Sequence, residues 1–223
     1  MTQGNLTELF FAMIVLSYLV GAFPTANIAA KFVKGADLRN EGSGNVGASN
    51  VIQSVNFWAG IAVGVFDCIV KGALLIAVAK WAGIHPYQQI LIGLLAIVGH
   101  NWSPFLRLRG GRGVLTATGI LLIMAPLILI PVLLVVVPGW AKTREGGLWV
   151  GMGIVTLPLW AYLLYDDAHI LSLGISLVIL LSSKRLLSNW QRPVGRELSW
   201  SKIFFYRIIY DRDTPKQADW IRR

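Results

Sequence analysis

The chain has 223 residues, of which 55% are hydrophobic and only 14% are charged, and its mean hydropathy is +0.62. Soluble domains carry about 25% charged residues, so this composition excludes an ordinary soluble protein and favours an integral membrane protein. The net charge of +9 would suit a nucleic-acid binder, but beside apolar runs it marks the cytoplasmic side of a membrane and contact with its lipids. The single cysteine, Cys68, excludes an intrachain disulfide and a cysteine zinc site.

Six apolar runs predict membrane helices, because a run of about 20 apolar residues spans a bilayer. In chain order these runs cover residues 9–29, 51–79, 88–98, 114–137, 148–164 and 170–181. Glycine-rich polar segments follow the first run and the third. The first run has no basic stretch before it, so we interpret it as a retained membrane helix and not as a cleaved signal.

The distribution of Lys and Arg predicts the orientation of these segments. Residues 31–50, residues 99–113 and the C-terminal tail are all basic, whereas residues 81–87 contain no Lys or Arg. Because basic loops stay in the cytoplasm, the three basic segments are expected there and the N-terminus is expected outside. The sequence thus predicts both glycine-rich segments on one membrane face.

The six apolar runs do not give a consistent topology unless one of them is divided into two segments. Six simple spans would place the basic tail outside, so an odd number is required. We expect residues 114–137 to form two short helices that meet at Pro126, since proline removes a helix hydrogen bond. The prediction is an all-α polytopic membrane bundle of about seven helical segments, some not fully spanning. Residues 1–192 would form the membrane domain and residues 193–223 a basic cytoplasmic tail.

The first glycine-rich segment has the composition of an anion-binding loop. Glycines let the backbone approach a ligand and point successive N–H groups at it, and the apolar run that follows suggests a helix N-terminus. A flexible connecting loop is the alternative, but the density of Asn and Ser beside a basic residue argues against it. The residues concerned are Arg39, Gly42, Ser43, Gly44, Asn45, Gly47 and Asn50.

The second glycine-rich segment has the composition of a phosphate cradle. The backbone amides of residues 110–113, the Arg112 guanidinium and the Thr116 hydroxyl could surround an anion, and arginine suits bidentate contact with phosphate. The spacing is not that of a Walker A loop. The alternative is an ordinary basic turn whose arginines are explained by topology alone.

Charged residues inside the second apolar run indicate a partner or a watery cavity. Asp67 and Lys71 are four residues apart and share a helical face, so they could also form a purely structural ion pair. His100, at the membrane edge, could be a base or a hydrogen-bond donor. No metal-ligand cluster and no Ser-His-Asp arrangement is visible, so neither a metal nor a cofactor is expected. These features predict two anion-binding loops, and they do not separate an enzyme from a transporter of small anions.

At these residues the sequence resembles the bacterial acyl-phosphate-dependent glycerol-3-phosphate acyltransferases. The resemblance covers roughly residues 15–192 and is densest in three stretches, which are Lys34-Gly-Ala-Asp37-Leu-Arg39 through Gly42-Ser-Gly-Asn-Val-Gly-Ala-Ser-Asn50, Asp67 to Gly72, and Gly99-His100 through Gly110-Gly-Arg-Gly-Val114 and Thr116. It implies a seven-helix plasma-membrane enzyme whose active site faces the cytoplasm. The implied reaction transfers an acyl group from acyl phosphate to the 1-hydroxyl of glycerol 3-phosphate, without an acyl-enzyme intermediate, giving lysophosphatidate and phosphate.

The resemblance also implies roles for individual residues. Catalysis would rest on Ser43, Arg112 and Asn189. Substrate and phosphate contacts would come from Arg39, Gly42, Gly44, Asn45, Gly47, Asn50, Lys71, His100, Gly110, Gly111, Gly113, Thr116 and Arg185.

Several positions depart from the family pattern. Arg112 replaces the usual lysine of the second motif, which keeps the charge but changes the hydrogen-bond geometry. The third motif, of the form RHxxNIxR, maps onto residues 185–192 with Leu186 in place of histidine. Gln53 and Ala22 replace an arginine and a serine. A diverged member with another acceptor or weak catalysis is therefore the second hypothesis, ahead of an anion transporter.

Overall fold

The computed structural model describes residues 3–188 and 199–214, and every regular element in those ranges is helical. The all-α prediction is confirmed. The α-helices are α1 (Gln3–Ala22), α2 (Thr25–Lys34), α3 (Ala48–Ser54), α4 (Phe57–Cys68), α5 (Leu75–Trp81), α6 (Pro86–Asn101), α7 (Val114–Met124), α8 (Pro126–Thr143), α9 (Gly146–Val155), α10 (Leu157–Tyr165), α11 (Ala168–Leu187) and α12 (Trp200–Tyr210). A π-helical segment, Ile69–Leu74, joins α4 to α5.

Five described segments are long and apolar enough to cross a membrane. They are Gly4–Lys34, Phe57–Trp81, Pro86–Leu106, Pro126–Thr143 and Ala168–Leu187. A sixth span is possible if α9 and α10, which meet at a bend of 42°, count as one, and α7 is a shorter apolar helix. The polytopic membrane bundle is thus confirmed, while the total of seven segments and the outside N-terminus stay predictions.

Prolines mark several helix breaks. The predicted break at Pro126 is confirmed, because α7 ends at Met124 and α8 begins at Pro126. The predicted polar loop at 138–147 is wrong in its first half, since α8 continues through Pro138 to Thr143. Prolines are tolerated in membrane helices because neighbouring groups satisfy the freed backbone carbonyls. The first apolar run, expected to be continuous, is interrupted at Phe23 and Pro24.

The chain forms two compact units, Met1–Pro126 and Leu127–Arg223. In the first unit, small residues let helix backbones touch. A Cβ atom on Gly21 would overlap the Ala96 carbonyl oxygen, and one on Gly99 would overlap the Tyr18 carbonyl oxygen. Close approach of this kind is how membrane helices gain packing energy, and it joins α1 to α6.

The π-helical segment packs against α7 in the same way. A Cβ on Gly72 would overlap the Thr116 carbonyl oxygen, and one on Gly119 would overlap the Cys68 carbonyl oxygen. Single π turns inside α-helices occur often at functional sites, since the extra residue changes the direction of the side chains that follow. Lys71 lies within this turn.

The second unit contains buried ion pairs near the end of α11. Arg212 makes a bidentate contact with Glu145, at 2.6 and 3.1 Å, and Arg207 Nε donates to Asp213 Oδ1 at 2.6 Å. Both arginines belong to the stretch predicted as a tail, which contains α12. The predicted domain boundary at residue 192 lies outside the described residues, so the division into 1–192 and 193–223 stays a prediction.

Candidate active site

A small pocket in the first unit contains polar and charged side chains. It encloses about 190 Å³ of empty space, including its open mouth. The break between α1 and α2, the π-helical segment and the end of α6 form its walls. The lining residues are Ala22, Phe23, Pro24, Thr25, Ala26, Val46, Lys71, His100, Ser103 and Leu106.

Lys71, which lines this pocket, forms an ion pair with Asp67. Lys71 Nζ lies 2.9 Å from Asp67 Oδ1, and both side chains are almost wholly buried. Lys71 Nζ also donates to the Phe23 carbonyl at 2.7 Å and to Thr25 Oγ1 at 3.2 Å, while Thr25 Oγ1 donates to Asp67 at 2.9 Å. An ammonium has three donors, and all three are engaged here. Lys71 therefore supplies a fixed buried charge, and direct contact with a phosphate would require it to exchange one of these partners.

His100 stands at the C-terminal end of α6, on the other side of Asp67. Its Nδ1 atom lies 3.8 Å from Asp67 Oδ2, which is within ion-pair range but too long for a hydrogen bond. Ser103 is buried nearby and donates its hydroxyl to the Ala22 carbonyl. The imidazole and the Lys71 ammonium thus lie against the two oxygens of one carboxylate.

The second glycine-rich segment folds back onto the end of α6. The Gly110 amide donates to the Asn101 carbonyl, and the Gly111 amide donates to the His100 carbonyl, both at 3.1 Å. The prediction that these two amides cradle a phosphate is therefore not supported by their geometry, since both already bind backbone oxygens. Their glycines serve close packing instead, because a Cβ on Gly111 would overlap His100 Nε2.

The end of this segment keeps the features of an anion site. Gly113 has a φ of +75° and precedes the first residue of α7. Thr116, three residues later, is fully buried, and its hydroxyl has no hydrogen-bond partner within the described ranges. The half-buried Arg112 lies between Gly111 and Gly113. A helix N-terminus and an unpartnered hydroxyl remain for a negatively charged ligand, and the Arg112 guanidinium belongs to the same segment.

In the first glycine-rich segment Asn50 organises the loop and is not exposed to a ligand. Its Nδ2 donates to the carbonyls of Glu41 and Asn45, both at 2.9 Å, and its Oδ1 accepts from the Ser43 amide at 3.2 Å. Asn50 is 1% exposed. We had expected it to contact substrate, but its amide is saturated by the loop itself, so its role is to shape the loop.

The other residues of this segment show how the loop turns. Gly42 and Gly44 have φ values of +53° and +69°, which favour glycine. Gly47 precedes α3 in an extended conformation. The Ser43 hydroxyl accepts from the Asn45 amide at 3.4 Å, and Asn45 Oδ1 is buried without a hydrogen-bond partner among the described residues. Ser43 and Asn45 are thus the side chains of this loop with capacity for a ligand.

Arg39 is paired within the loop. Its Nε donates to Asp37 Oδ1 at 2.9 Å, and its Nη1 lies 3.5 Å from the Leu106 carbonyl. The hydrogen bond from Arg39 lowers the pKa of the Asp37 carboxyl, so the pair remains charged at neutral pH. Arg39 was predicted to bind phosphate, and here its charge is shared with a carboxylate.

The two glycine-rich segments meet beside His100. A Cβ atom on Gly111 would lie 2.7 Å from the Val46 carbonyl oxygen, so the backbones of the two loops are in direct contact. The two loops therefore contact each other within the first unit, while their position on one membrane face stays a prediction. Val46 of the first segment and His100, Ser103 and Leu106 of the second all line the pocket.

The third-motif residues belong to the second unit. Arg185 is buried, and its Nη1 donates to the carbonyls of Gly147 at 3.0 Å and Ile208 at 3.2 Å. Asn189 and Arg192 lie outside the described residues, so the catalytic role expected for Asn189 stays a prediction.

A comparison with protein families identifies the family to which this chain belongs. The glycerol-3-phosphate acyltransferase family model matches residues 11–193, which include both loops and the pocket. The chain belongs to the glycerol-3-phosphate acyltransferase family. Membership in this family makes it an acyltransferase, as the resemblance implied.

Individual relatives support the family assignment over the whole chain. Glycerol-3-phosphate acyltransferase 4 of Dehalococcoides mccartyi is 37% identical over 98% of this chain and 95% of the relative. Glycerol-3-phosphate acyltransferase 5 from a second strain of the same species is 36% identical over 96% of this chain and 93% of the relative. The crystal structure of PlsY (YgiH), an integral membrane glycerol 3-phosphate acyltransferase in its glycerol 3-phosphate form, superposes with a TM-score of 0.72 and 28% identity. That match covers 83% of this chain and 96% of PlsY.

Reasoning from sequence missed two pocket residues of this family member. Thr25 follows the break at Pro24 and bridges Asp67 to Lys71, but in sequence it looks like part of a continuous span. Ser103 lies in the second glycine-rich segment, where the sequence analysis selected His100 and residues 110–113 and left the serine out. Asp67 was interpreted either as a charge facing a partner or a watery cavity or as a structural partner of Lys71, and it was not included among the predicted site residues.

Proposed function

We propose that this protein transfers the acyl group of acyl phosphate to the 1-hydroxyl of glycerol 3-phosphate, giving lysophosphatidate and inorganic phosphate. The observation that carries the proposal is a pocket lined by residues of both glycine-rich segments together with the buried Lys71 and His100, which share the carboxylate of Asp67. The family and its relatives support glycerol 3-phosphate as the acceptor. The acyl phosphate donor is inferred from the chemistry of the site and from the motif resemblance.

The reaction suits a site without a nucleophilic side chain. Acyl phosphate is an activated mixed anhydride, so the acceptor hydroxyl oxygen attacks the carbonyl carbon directly and the bond from that carbon to the phosphate oxygen breaks. The hydroxyl proton leaves with the phosphate or with a nearby base, and no oxidant or cofactor is needed. The protein must hold two anions, align them and stabilise the departing charge.

The roles of the residues follow from their surroundings. Arg112, the Thr116 hydroxyl and the start of α7 would bind the leaving phosphate. Ser43 and Asn45 would orient a substrate from the first loop. Lys71 would act mainly through its buried positive charge, and His100 would hold or pass the proton next to Asp67. A role for Arg185 and Asn189 in binding glycerol 3-phosphate would come from the motif pattern alone.

We place the site at the cytoplasmic face of the plasma membrane. Residues 31–50 and 99–113 are basic, which favours the cytoplasmic side. The partners are therefore two phosphate-bearing substrates and the surrounding lipids.

The test is phosphate release by detergent-purified protein supplied with palmitoyl phosphate, with and without glycerol 3-phosphate. Release that depends on the acceptor, matched by an equal amount of lysophosphatidate, would support the proposal. Binding of palmitoyl phosphate without release would favour the diverged member with another acceptor. If the protein neither bound palmitoyl phosphate nor released phosphate from it, its likeness to the relatives would be limited to family and fold.

A further inference from the structure

The segment 199–214 lies beyond the residues that the family model matches, which end at 193. Its helix α12 has one buried side and one exposed side. Ile203 and Arg207 are 3% exposed, whereas Phe204, Phe205 and Ile208 are 44%, 59% and 37% exposed. Spacings of three and four residues place these last three side chains on one helical face. We call this set the aromatic face of α12.

The buried side of α12 is fixed by charged hydrogen bonds. Arg207 Nε donates to Asp213 Oδ1 at 2.6 Å, and Arg207 Nη1 donates to the Leu186 carbonyl at 2.8 Å. Just beyond the helix, Arg212 holds Glu145 with two hydrogen bonds. The Arg207–Asp213 pair is buried on both sides and is strongly destabilising to break, whereas Glu145 in the second pair is partly exposed. Together these contacts fix the orientation of α12 against α9 and α11. Because these contacts hold the opposite side of α12 against the protein, the aromatic face points away from it.

The depth of α12 follows from its contacts with α11. A helix of 20 residues is about 30 Å long, which matches the hydrocarbon core of a bilayer. The Leu186 carbonyl, bound by Arg207, and Arg185, bound to the Ile208 carbonyl, both lie in the last turn of α11. Where α11 crosses the membrane, its last turn lies at the headgroups. Helix α12 is attached at that level.

We propose that α12 is an interfacial helix whose aromatic face is embedded in the headgroup–acyl boundary of the lipid bilayer. Aromatic and branched apolar side chains on a short helix at this depth are typical of helices that lie in the membrane plane. Lys202 is exposed at the edge of the face, where a lysine can reach the headgroups. The basic residues of the flanking sequence, Arg192 and Arg196 before the helix and Lys216 after it, suit an anionic surface.

The test places a fluorescent probe on the aromatic face of the full-length protein. In a Cys68→Ala background, bimane is attached through Phe205→Cys, and a matched control carries it through Lys202→Cys. Both proteins are reconstituted into vesicles of phosphatidylcholine and phosphatidylglycerol, with and without lipids that carry a doxyl quencher high on the acyl chain. Aqueous iodide is the second quencher. Monodisperse elution in detergent shows that each labelled protein is folded.

The proposal expects the Phe205 probe to be quenched several-fold more by doxyl lipid than the Lys202 probe, and less by iodide. Equal quenching of the two probes by iodide would overturn it, because the face would then be in water. Protection of the Phe205 probe from both quenchers would overturn it too, and would indicate a second protein copy on this face. The measurement uses no substrate, so its result is independent of the proposed reaction.

Discussion

The charged residues beside the pocket differ in how much water reaches them. The side chains of Lys71 and Asp67 are 2% and 3% exposed, whereas those of Arg39 and Asp37 are 25% and 24% exposed. Removing one member of a buried pair leaves an uncompensated charge and costs about 3–5 kcal/mol, while an exposed pair contributes about 0–1 kcal/mol. The two pairs, both within the first unit, are therefore expected to contribute differently to the free energy of unfolding.

We expect Asp67→Asn to lower the melting temperature in detergent much more than Asp37→Asn. The first change strips the buried Lys71 ammonium of its counter-charge, while the second affects a half-exposed arginine that water can solvate. Thermal unfolding of both variants beside the unaltered protein measures the difference. Equal shifts, or a larger shift for Asp37→Asn, would show that the Lys71 charge is compensated by other groups.

In the proposed reaction, Arg112 is the residue on which the binding of the leaving phosphate most depends. We expect Arg112→Ala to reduce turnover at least ten-fold, in line with the loss of a charge-assisted contact of about 1.5–3 kcal/mol. The matched control is Arg109→Ala, which removes an exposed arginine three residues earlier in the same segment. Phosphate release under saturating substrate measures both. Turnover near normal in Arg112→Ala, with a normal elution profile, would remove the assigned role.

At the scale of elements, the sequence predicts those features that depend on local chemistry. The break at Pro126 follows from the proline itself and from the charge count that demands an odd number of segments. The π-helical turn around Lys71 has no local signature, because it results from the packing of Gly72 against α7. The continuation of α8 through Pro138 was missed for a similar reason, since tertiary packing decides whether a helix survives a proline.

The contact between the π-helical segment and α7 requires glycine at position 72. We expect Gly72→Ala to destabilise the protein by about 1–3 kcal/mol, because the added methyl would overlap the Thr116 carbonyl oxygen and push α7 away. Turnover should fall as well, since the displaced helix begins at the proposed phosphate site. Thermal unfolding and phosphate release measure the two effects.

The matched control for this variant is Gly4→Ala in α1, where an added methyl meets nothing within 4 Å. That change should leave stability unaltered or raise it slightly, because alanine favours the helix. If Gly72→Ala behaves like Gly4→Ala, α7 and the π-helical segment are not in tight contact.

At the scale of the whole molecule, the positive-inside rule predicted which segments share a membrane face, and the two loops do meet in the first unit. Composition could not reveal that Gly111 touches Val46, or that the Gly110 and Gly111 amides bind the end of α6. Those facts depend on the three-dimensional path of the backbone. The role of Asn50 was misjudged because an asparagine in a glycine-rich loop has the same sequence signature whether it binds a ligand or braces the loop.

In the C-terminal region, by contrast, the sequence contained a helical signal that the sequence analysis did not use. Its basic character was evident, but the amphipathic pattern of residues 200–210 received no weight beside the charge. Trp200, Phe204 and Ile208 recur every four residues, which is a helical signal. The buried partners of Arg207 and Arg212 were not predictable, because they join residues far apart in sequence.

The identity of the acyl donor is the central claim, and a competition between donors tests it most directly. The purified protein is offered pentadecanoyl phosphate and heptadecanoyl-CoA together with glycerol 3-phosphate, and the chain length of the lysophosphatidate is read by mass spectrometry. A repeat with the two chains exchanged between donors controls for chain preference. We predict that the product carries the chain supplied as acyl phosphate in both experiments. A product whose chain follows the CoA thioester would contradict the proposed reaction.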